Sequence, residues 1–265
     1  GHNVSILDNL SPQIHGLNAS FPKKLMDNCN LIKGDIQVKN DWINALKNID
    51  VICHFAAETG TGQSMYNIQN YTGVNISGTA LMLDILTNEI HSVKKIILAS
   101  SRAIYGEGKY NCKNHGIVYP NTRKEKNLSN GFFEPRCPKC QGELDILPTD
   151  ETSPLMPTSI YGITKQVQEQ MVLTCCKSLK IPFVSLRFQN VYGPGQSLKN
   201  PYTGILSIFS TQILNGNNIN IFEDGKESRD FVYIDDVVDA IKLSIDNNLA
   251  NNNVFNVGSG LSLIH

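Results

Sequence analysis

The sequence has no marked excess of charge and no long apolar run. Its 23 lysines and arginines nearly balance 24 aspartates and glutamates, giving a formal net charge of -1 over 265 residues. A nearly neutral chain offers no electrostatic footprint for nucleic acid or for an anionic membrane surface. No apolar stretch approaches the roughly 20 residues that a membrane-spanning helix needs. We therefore expect neither nucleic acid nor a membrane as a partner.

The sequence also lacks the cysteine pattern of a disulfide framework. Its seven cysteines are odd in number and scattered through a chain of ordinary domain size. A reducing, cytoplasmic compartment is therefore expected. Hydrophobic residues make up 41% and charged residues 18%, as in a folded globular enzyme. The length suffices for one large α/β domain, or for a domain with a smaller lobe.

Short β-rich runs alternate with helix-length stretches through the first 190 residues. The predicted strands are residues 4–7, 31–32, 51–55, 96–99 and 183–188. The predicted helices are residues 41–47, 71–89 and 160–178. This alternation predicts an α/β fold, with a parallel sheet covered by helices on both faces. After Asn190 a looser pattern predicts a smaller lobe with a helix at 205–214, strands at 219–222 and 231–234, and a helix at 237–245 capped by Asp235 and Asp236.

Residues 106–150 show no periodicity and are predicted to be an insertion with its own organisation. They contain Cys112-x-x-His115 and Cys137-Pro-Lys-Cys140, two pairs at the spacing of a zinc knuckle. A Cys₃His tetrahedron would close the insertion as a small ribbon around a structural zinc ion. An incidental Cys-Pro-Lys-Cys turn or a redox pair is the alternative. The clustering of all four ligands in one aperiodic segment favours zinc.

Acidic and small residues follow the first three predicted strands. Asp8 ends the first strand, and Asn9 follows it in a turn. In a dinucleotide-binding sheet, such a carboxylate accepts hydrogen bonds from ribose hydroxyls and disfavours a 2′-phosphate, which would favour NAD over NADP. A turn-capping role is the alternative for Asp8. Asp35 follows the second strand and suits an adenine edge, and the small residues after the third strand let a flat ligand lie close.

Tyr161 and Lys165 are four residues apart in the segment SIYGITK and share one face of the predicted helix. A free tyrosine has a pKa near 10 and is a poor base at neutral pH. A neighbouring ammonium and a positively charged nicotinamide ring would stabilise its phenolate. The same spacing recurs at Tyr105 and Lys109, where intervening glycines oppose a helix. Ser101, directly after a buried strand, could bind the substrate oxygen that Tyr161 deprotonates.

These blocks occur in one order along the chain and resemble the extended short-chain dehydrogenase/reductase family, in particular its nucleotide-sugar epimerases. The matching blocks are Asp8, Gly34-Asp35-Ile36, His54-Phe55-Ala56-Ala57, Ser100-Ser101, Tyr161 with Lys165, RFQNVYGP at 187–194, and Arg229-Asp230-Phe231. Residues 57–63 and the cysteine-containing insertion resemble dTDP-L-rhamnose 4-epimerases most.

The resemblance implies a Rossmann-type doubly wound sheet and specific roles for matched residues. Catalysis would fall to Ser101, Tyr161 and Lys165, and the substrate would be held by Ser101, Asn190 and Arg229. NAD would be contacted by Asp8, Asn9, Asp35, Ile36, Phe55, Ala56, Ala57, Asn75, Tyr161 and Lys165. Residues 1–189 would form the NAD-binding domain and 190–265 mainly the substrate lobe, with 229–257 partly returning to the first domain.

The implied activity is 4-epimerisation of a nucleotide-diphosphate sugar through transient oxidation at C4, in a homodimer. The family's first strand and glycine-rich phosphate loop should precede Gly1, so we expect this chain to be a fragment of a longer polypeptide. A 4-keto-sugar reductase, a 4,6-dehydratase and a truncated, non-catalytic NAD-binding protein are the alternatives. The acidic pair that dehydratases carry after the active-site hydroxyl is replaced here by Arg102-Ala103.

Overall fold

The computed structural model describes residues 1–198, 200, 202, 204–225, 227 and 229–259, so that positions 260–265 of the expected substrate lobe lie outside it. The strands are β1 (Val4–Asp8), β2 (Cys29–Lys33), β3 (Val51–His54), β4 (Lys95–Ser101), β5 (Tyr110–Cys112), β6 (Gly116–Val118), β7 (Asp145–Ile146), β8 (Phe183–Phe188), β9 (Asn190–Tyr192), β10 (Phe231–Tyr233) and β11 (Asn253–Val257). The α-helices are α1 (Pro12–His15), α2 (Lys23–Met26), α3 (Lys39–Ala45), α4 (Thr61–Ser64), α5 (Ile68–Tyr71), α6 (Gly78–Asn88), α7 (Glu125–Ser129), α8 (Ile160–Leu179), α9 (Ile205–Leu214) and α10 (Ile234–Asp246).

The central sheet is parallel and has the strand order β11-β8-β4-β3. A second parallel pair, β1 with β2, aligns Val4 with Cys29 and Asp8 with Lys33. The predicted α/β fold with a parallel sheet is therefore confirmed. Because all these strands run in the same direction within their sheets, the side chains that follow them gather at carboxyl edges.

Helices cover both faces of the central sheet, because successive side chains of a strand point to opposite faces. In β4, Ile96 and Leu98 pack into a core with α3, α6 and α8. Ile97, between them, faces a second core that includes Val237 of α10. None of the helices among the described residues is both long and apolar enough to cross a membrane.

The predicted helix at 71–89 is interrupted. A π-helical segment, Thr72–Ser77, joins α5 to α6 and carries Asn75 on its buried side. Wider turns of this kind are rare and occur often at functional sites. Periodicity alone did not predict this segment, because a π-turn shifts the helical phase by a fraction of a turn.

The insertion contains a three-stranded antiparallel sheet of order β6-β5-β7. Its strands have two or three residues, too few for a periodic pattern. Tyr110, Cys112, Val118 and Cys137 form a separate small core there.

Two predictions for the last part of the chain need correction. The predicted strand at 219–222 is wrong, because the described structure has no strand there. Helix α10 begins at Ile234, so Asp235 and Asp236 lie in its first turn instead of capping it from outside. Carboxylates in a first turn still stabilise a helix through its dipole. Strand β10 pairs in parallel with β9.

Candidate active site

Ser101 and Tyr161 are brought together by the end of β4 and the start of α8. Ser101 is the last residue of β4, and its Oγ accepts a hydrogen bond from Ala103 N at 3.2 Å. Helix α8 begins after Ser159, whose Oγ accepts from Gly162 N at 3.1 Å. A Cβ atom at Gly162 would lie 2.6 Å from the Ala103 carbonyl oxygen. Glycine at 162 therefore lets α8 approach the turn after β4 closely enough to join the two hydroxyls.

The surroundings of Tyr161 act on its ionisation in opposite directions. Burial raises the pKa of Tyr161, whereas its hydrogen bond with Ser101 and the charge of Arg102 lower it. The ring of Tyr71 packs edge-on against it, with ring centroids 6.4 Å apart. Without a bound cofactor, the phenol therefore stays protonated at neutral pH. Arg102, which the sequence reasoning did not name for this role, is a cation whose charge favours the phenolate.

Lys165 is buried one helical turn further along α8, with 2% of its surface exposed. Its Nζ donates to Gln168 Oε1 at 2.7 Å. Burial lowers the pKa of Lys165 to about 7, and the nearby charge of Glu169 opposes that shift. An ammonium poised near neutrality can hold an oxygen ligand while exchanging its proton with little cost.

A buried polar network extends from Lys165 through Gln168 and Thr79 to His54. Gln168 Nε2 donates to Thr79 Oγ1 at 2.8 Å, and Thr79 Oγ1 lies 2.8 Å from His54 Nε2. Burial, and then the charge of Lys165, lowers the pKa of His54 to about 3, so this imidazole is neutral. The sequence reasoning missed Gln168 and Thr79. The i, i+3 spacing of Gln168 from Lys165 was the available signal.

The predicted cofactor residues at the ends of β1 and β2 lie together. Asn9 Nδ2 donates to Asp35 Oδ2 at 3.1 Å. Asp8 Oδ1 accepts from Leu10 N at 2.7 Å, which is the turn-capping role considered as the alternative. The Asp8 side chain remains 41% exposed, so one carboxylate serves the turn and still faces outward. Both carboxylates can accept hydrogen bonds from ligand hydroxyls.

Of the other predicted cofactor residues, Phe55 is exposed just beyond β3, and Ala56 and Ala57 are half-buried beside it. Ile36 packs in the main core, where its carbonyl accepts from Trp42 Nε1 at 2.7 Å. Asn75 is fully buried, and its amide bonds to the backbone of Glu58 and to Thr164 Oγ1. These bonds fix the π-helical segment against Glu58 and against α8, which carries Thr164. The contact between Asn75 and NAD stays a prediction.

A cavity of about 350 Å³ opens beside the turn after β4 and the start of α8. It is lined by Ala103 and Ser159, the neighbours of the two hydroxyls, and by Arg102 and Arg229. Arg102 Nε donates to Asn190 Oδ1 at 3.2 Å, and burial, followed by the charge of Arg229, lowers the pKa of Arg102 to about 10. The structure thus places both predicted diphosphate-binding residues, Asn190 and Arg229, next to Arg102, a residue to which the sequence reasoning assigned no binding role.

The rejected pair, Tyr105 and Lys109, does not share a helical face. Tyr105 follows Ser101 in a 3-10 turn, and its hydroxyl donates to Asn256 Oδ1 at 2.8 Å. Lys109 instead forms an ion pair with Asp150 at 2.7 Å. Tyr105 and Lys109 therefore do not form a second pair on one helix, as the intervening glycines predicted.

The four predicted metal ligands form one cluster in the insertion. The ligand atoms of Cys112, His115, Cys137 and Cys140 all lie within 4.8 Å of one another. Cys112 Sγ lies 3.5 Å from His115 Nδ1 and 3.7 Å from Cys140 Sγ, and Cys137 Sγ lies 3.6 Å from His115 Nδ1. Sulfur and nitrogen atoms at such separations can surround one tetrahedral ion.

Comparison with known proteins agrees with the fold. A parallel sheet with helices on both faces, and polar groups gathered at its carboxyl edges, defines a Rossmann-type α/β protein. The pattern of the NAD dependent epimerase/dehydratase family matches residues 1–127 and 137–258. The chain belongs to this family.

Individual relatives include enzymes named as 4-epimerases. A dTDP-L-rhamnose 4-epimerase from Burkholderia thailandensis is 39% identical over 259 residues, which is 96% of this chain and 69% of that protein. A putative UDP-glucose 4-epimerase from Methanocaldococcus jannaschii is 29% identical over 98% of this chain and 70% of that protein. The solved UDP-glucose 4-epimerase from Thermotoga maritima, in complex with UDP-glucose, is 27% identical with a TM-score of 0.75, covering 98% of this chain and 70% of that one.

Proposed function

We propose that the protein is an NAD-dependent 4-epimerase of nucleotide-diphosphate sugars of the dTDP-L-rhamnose or UDP-hexose class. The observation that carries this proposal is the meeting of Ser101 and Tyr161 beside a cavity, with Lys165 buried one helical turn beyond. The relative named dTDP-L-rhamnose 4-epimerase supports the choice within the family.

The residues present fit NAD. Two partly exposed acidic side chains, Asp8 and Asp35, lie at adjacent strand ends and can accept hydrogen bonds from ribose and adenine donors. Ala56 and Ala57 carry no bulk that would block a flat ring. When bound, NAD would take a hydride from the sugar and return it.

The protein's own residues would then bind the sugar and move its proton. Tyr161 would receive the proton of the C4 hydroxyl, and Ser101 would hold the same oxygen by a hydrogen bond. Lys165 would hold a cofactor ribose hydroxyl, and its charge would favour the phenolate only when protonated. Asn190 and Arg229 would hold the diphosphate while the 4-keto sugar turns its other face, since guanidinium groups suit phosphate oxygens.

The positive group after Ser101 argues against the dehydratase alternative. Removing water across C5 and C6 needs an acid and a base next to the reacting carbons. Arg102 and Ala103 supply neither, because the guanidinium remains charged at neutral pH. A 4-keto-sugar reductase would use the same Tyr161 and Lys165 and must be separated by experiment.

The discriminating experiment incubates the full-length protein with dTDP-L-rhamnose or a UDP-hexose, without an added reductant. An epimerase forms the C4 epimer, whereas a reductase stalls. Tyr161→Phe should lower kcat by about 10²–10⁴-fold if Tyr161 is the base. Tyr119→Phe, a change in the insertion, serves as the matched control. Near-normal turnover by Tyr161→Phe would remove the tyrosine from the mechanism, and a nucleotide sugar that is never turned over would overturn the proposed function.

We also propose that Cys112, His115, Cys137 and Cys140 hold a structural zinc ion. Three thiolates and one imidazole are the soft donor set that zinc takes in closed sites. Metal analysis should find one zinc per chain, lost in Cys137→Ser and kept in Cys175→Ser, which alters a cysteine outside the cluster. Metal-free protein with a Cys137–Cys140 disulfide would support the redox alternative instead.

Two further proposals rest on the family resemblance alone. Residues 1–189 would bind the cofactor and residues 190–265 mainly the sugar, with 229–257 partly returning to the first domain. Two copies would pair through α8 and the helical segment at 71–89. Light scattering of the full-length protein should give twice the monomer mass, and a monomer would refute the pairing.

A further inference from the structure

The insertion forms part of the cavity beside the proposed reaction site. Arg123, Phe133, Glu134 and Pro135 come from the insertion and line the same cavity as Ala103 and Ser159. Ala103 and Ser159 each lie two residues from Ser101 and Tyr161, respectively. If the reacting carbon of a ligand lies near these hydroxyls, the part of the ligand around that carbon would therefore contact the insertion.

Three of the insertion's lining residues lie in a segment that the family pattern does not match. The family pattern leaves residues 128–136 unmatched, and Phe133, Glu134 and Pro135 fall within that segment. We call these three residues the insertion wall. A wall that the family pattern does not include is suited to distinguish one family substrate from another.

Two anchors hold the insertion wall in place. Cys137, fully buried, lies two residues after Pro135 and belongs to the cysteine–histidine cluster. On its other side, Arg123 Nη1 donates to the Phe133 carbonyl at 3.1 Å and to both carboxylate oxygens of Glu223 at 2.9 Å. The first anchor depends on a bound ion, because three thiols and an imidazole at contact distance attract each other weakly without one.

We infer that the insertion wall contacts the hexose of the nucleotide-diphosphate sugar, with Phe133 as the main contact and the zinc cluster as its anchor. This inference rests on the proposed function. The half-buried ring of Phe133 and the neighbouring Pro135 offer an apolar surface to the C–H face of a sugar. The Glu134 carboxylate can accept hydrogen bonds from sugar hydroxyls.

The inference predicts a selective loss of affinity. Removing the ring or loosening its anchor weakens contacts with the sugar and leaves those with the nucleotide and NAD unchanged. The sugar's share of affinity is the ratio of two dissociation constants, that of the nucleoside diphosphate over that of the nucleotide sugar.

The test measures this ratio by calorimetry on the full-length protein with NAD present, using dTDP with dTDP-L-rhamnose and UDP with UDP-glucose. Phe133→Ala, which leaves the metal ligands intact, should keep its zinc and lower the ratio about tenfold, the loss expected for one aromatic contact. Cys137→Ser with Cys140→Ser should lose zinc and lower the ratio similarly. Cys175→Ser should match the wild type in zinc and in ratio.

Several results would overturn the inference. These are an unchanged ratio in Phe133→Ala, an equal loss of affinity for nucleotide and nucleotide sugar, and a wild-type protein for which neither sugar adds affinity. A wild-type protein without zinc would remove the anchor. Because the ratio reports binding whether or not the sugar is turned over, a protein that binds the sugar through Phe133 and fails to epimerise it refutes the proposed function alone.

Discussion

Glu169→Gln should destabilise the protein strongly, because it removes one charge from a buried ion pair. Glu169 and Arg187 are 3% and 5% exposed, with Arg187 Nη2 to Glu169 Oε1 at 2.6 Å and Arg187 Nε to Glu169 Oε2 at 3.2 Å. Ser185 Oγ adds a third hydrogen bond to the carboxylate at 2.9 Å. The substitution preserves volume and leaves the guanidinium buried without its counter-charge.

The expected cost is about 3–5 kcal/mol, the usual loss when one partner of a buried pair is removed. For a chain of this size, that corresponds to a fall in Tm of roughly 6–20 °C. Urea unfolding and thermal scans measure both quantities. The matched control is Asp239→Asn, which breaks an exposed pair with Lys242 and should cost less than about 1 kcal/mol.

A double variant tests the reason for the loss. Glu169→Met with Arg187→Met removes both charges and should cost less than the sum of the two single changes, by about 1–3 kcal/mol. Additive losses would refute the claim that an uncompensated charge causes the damage. So would a Glu169→Gln variant as stable as the Asp239→Asn control.

Three further predictions concern the site. Burial lowers the pKa of Lys165 from 10.5 to about 7, so between these pH values the unfolded chain binds more protons and the free energy of unfolding rises with pH. Urea unfolding should show a rise of roughly 2 kcal/mol between pH 7 and 9 that Lys165→Met removes. An unchanged rise in Lys165→Met would contradict this. Because the Arg102 charge lowers the pKa of Tyr161, Arg102→Met should move the acid limb of the kcat/KM profile to higher pH, with Arg102→Lys in between; an unmoved limb would exclude this role. Gly162→Ala should lower the free energy of unfolding by about 1–3 kcal/mol and lower kcat, because its Cβ would clash with the Ala103 carbonyl oxygen. Unchanged stability and kcat would show that α8 can shift away from that carbonyl.

Local patterns in the sequence predicted much of the fold and several contacts of the candidate site. Buried runs of hydrophobic residues marked β3, β4 and β8, because a parallel strand is covered on both faces. Tyr161 and Lys165 share a helical face as predicted, because α8 is a regular helix across both residues. The cluster of metal ligands in the insertion was predictable because the short spacing within each Cys/His or Cys/Cys pair already places its two side chains close together.

Other features depended on packing between distant segments, which no local pattern records. Arg102 acts on Tyr161 because α8 lies against the turn after β4, and Gln168 reaches Thr79 across 89 positions. The π-helical segment that carries the buried Asn75 was not predicted. The insertion's strands were missed because two or three residues cannot display a period.

Hydrogen tracking at C4 tests the central proposal most directly. The full-length protein is given a nucleotide-diphosphate hexose carrying deuterium at C4, in ordinary water and without added reductant, and the product is analysed by mass spectrometry and NMR. Removal and return of the same hydride within one site predicts the C4 epimer with its deuterium retained. An epimer that carries solvent hydrogen at C4, or no epimer until a reduced cofactor is added, would contradict it.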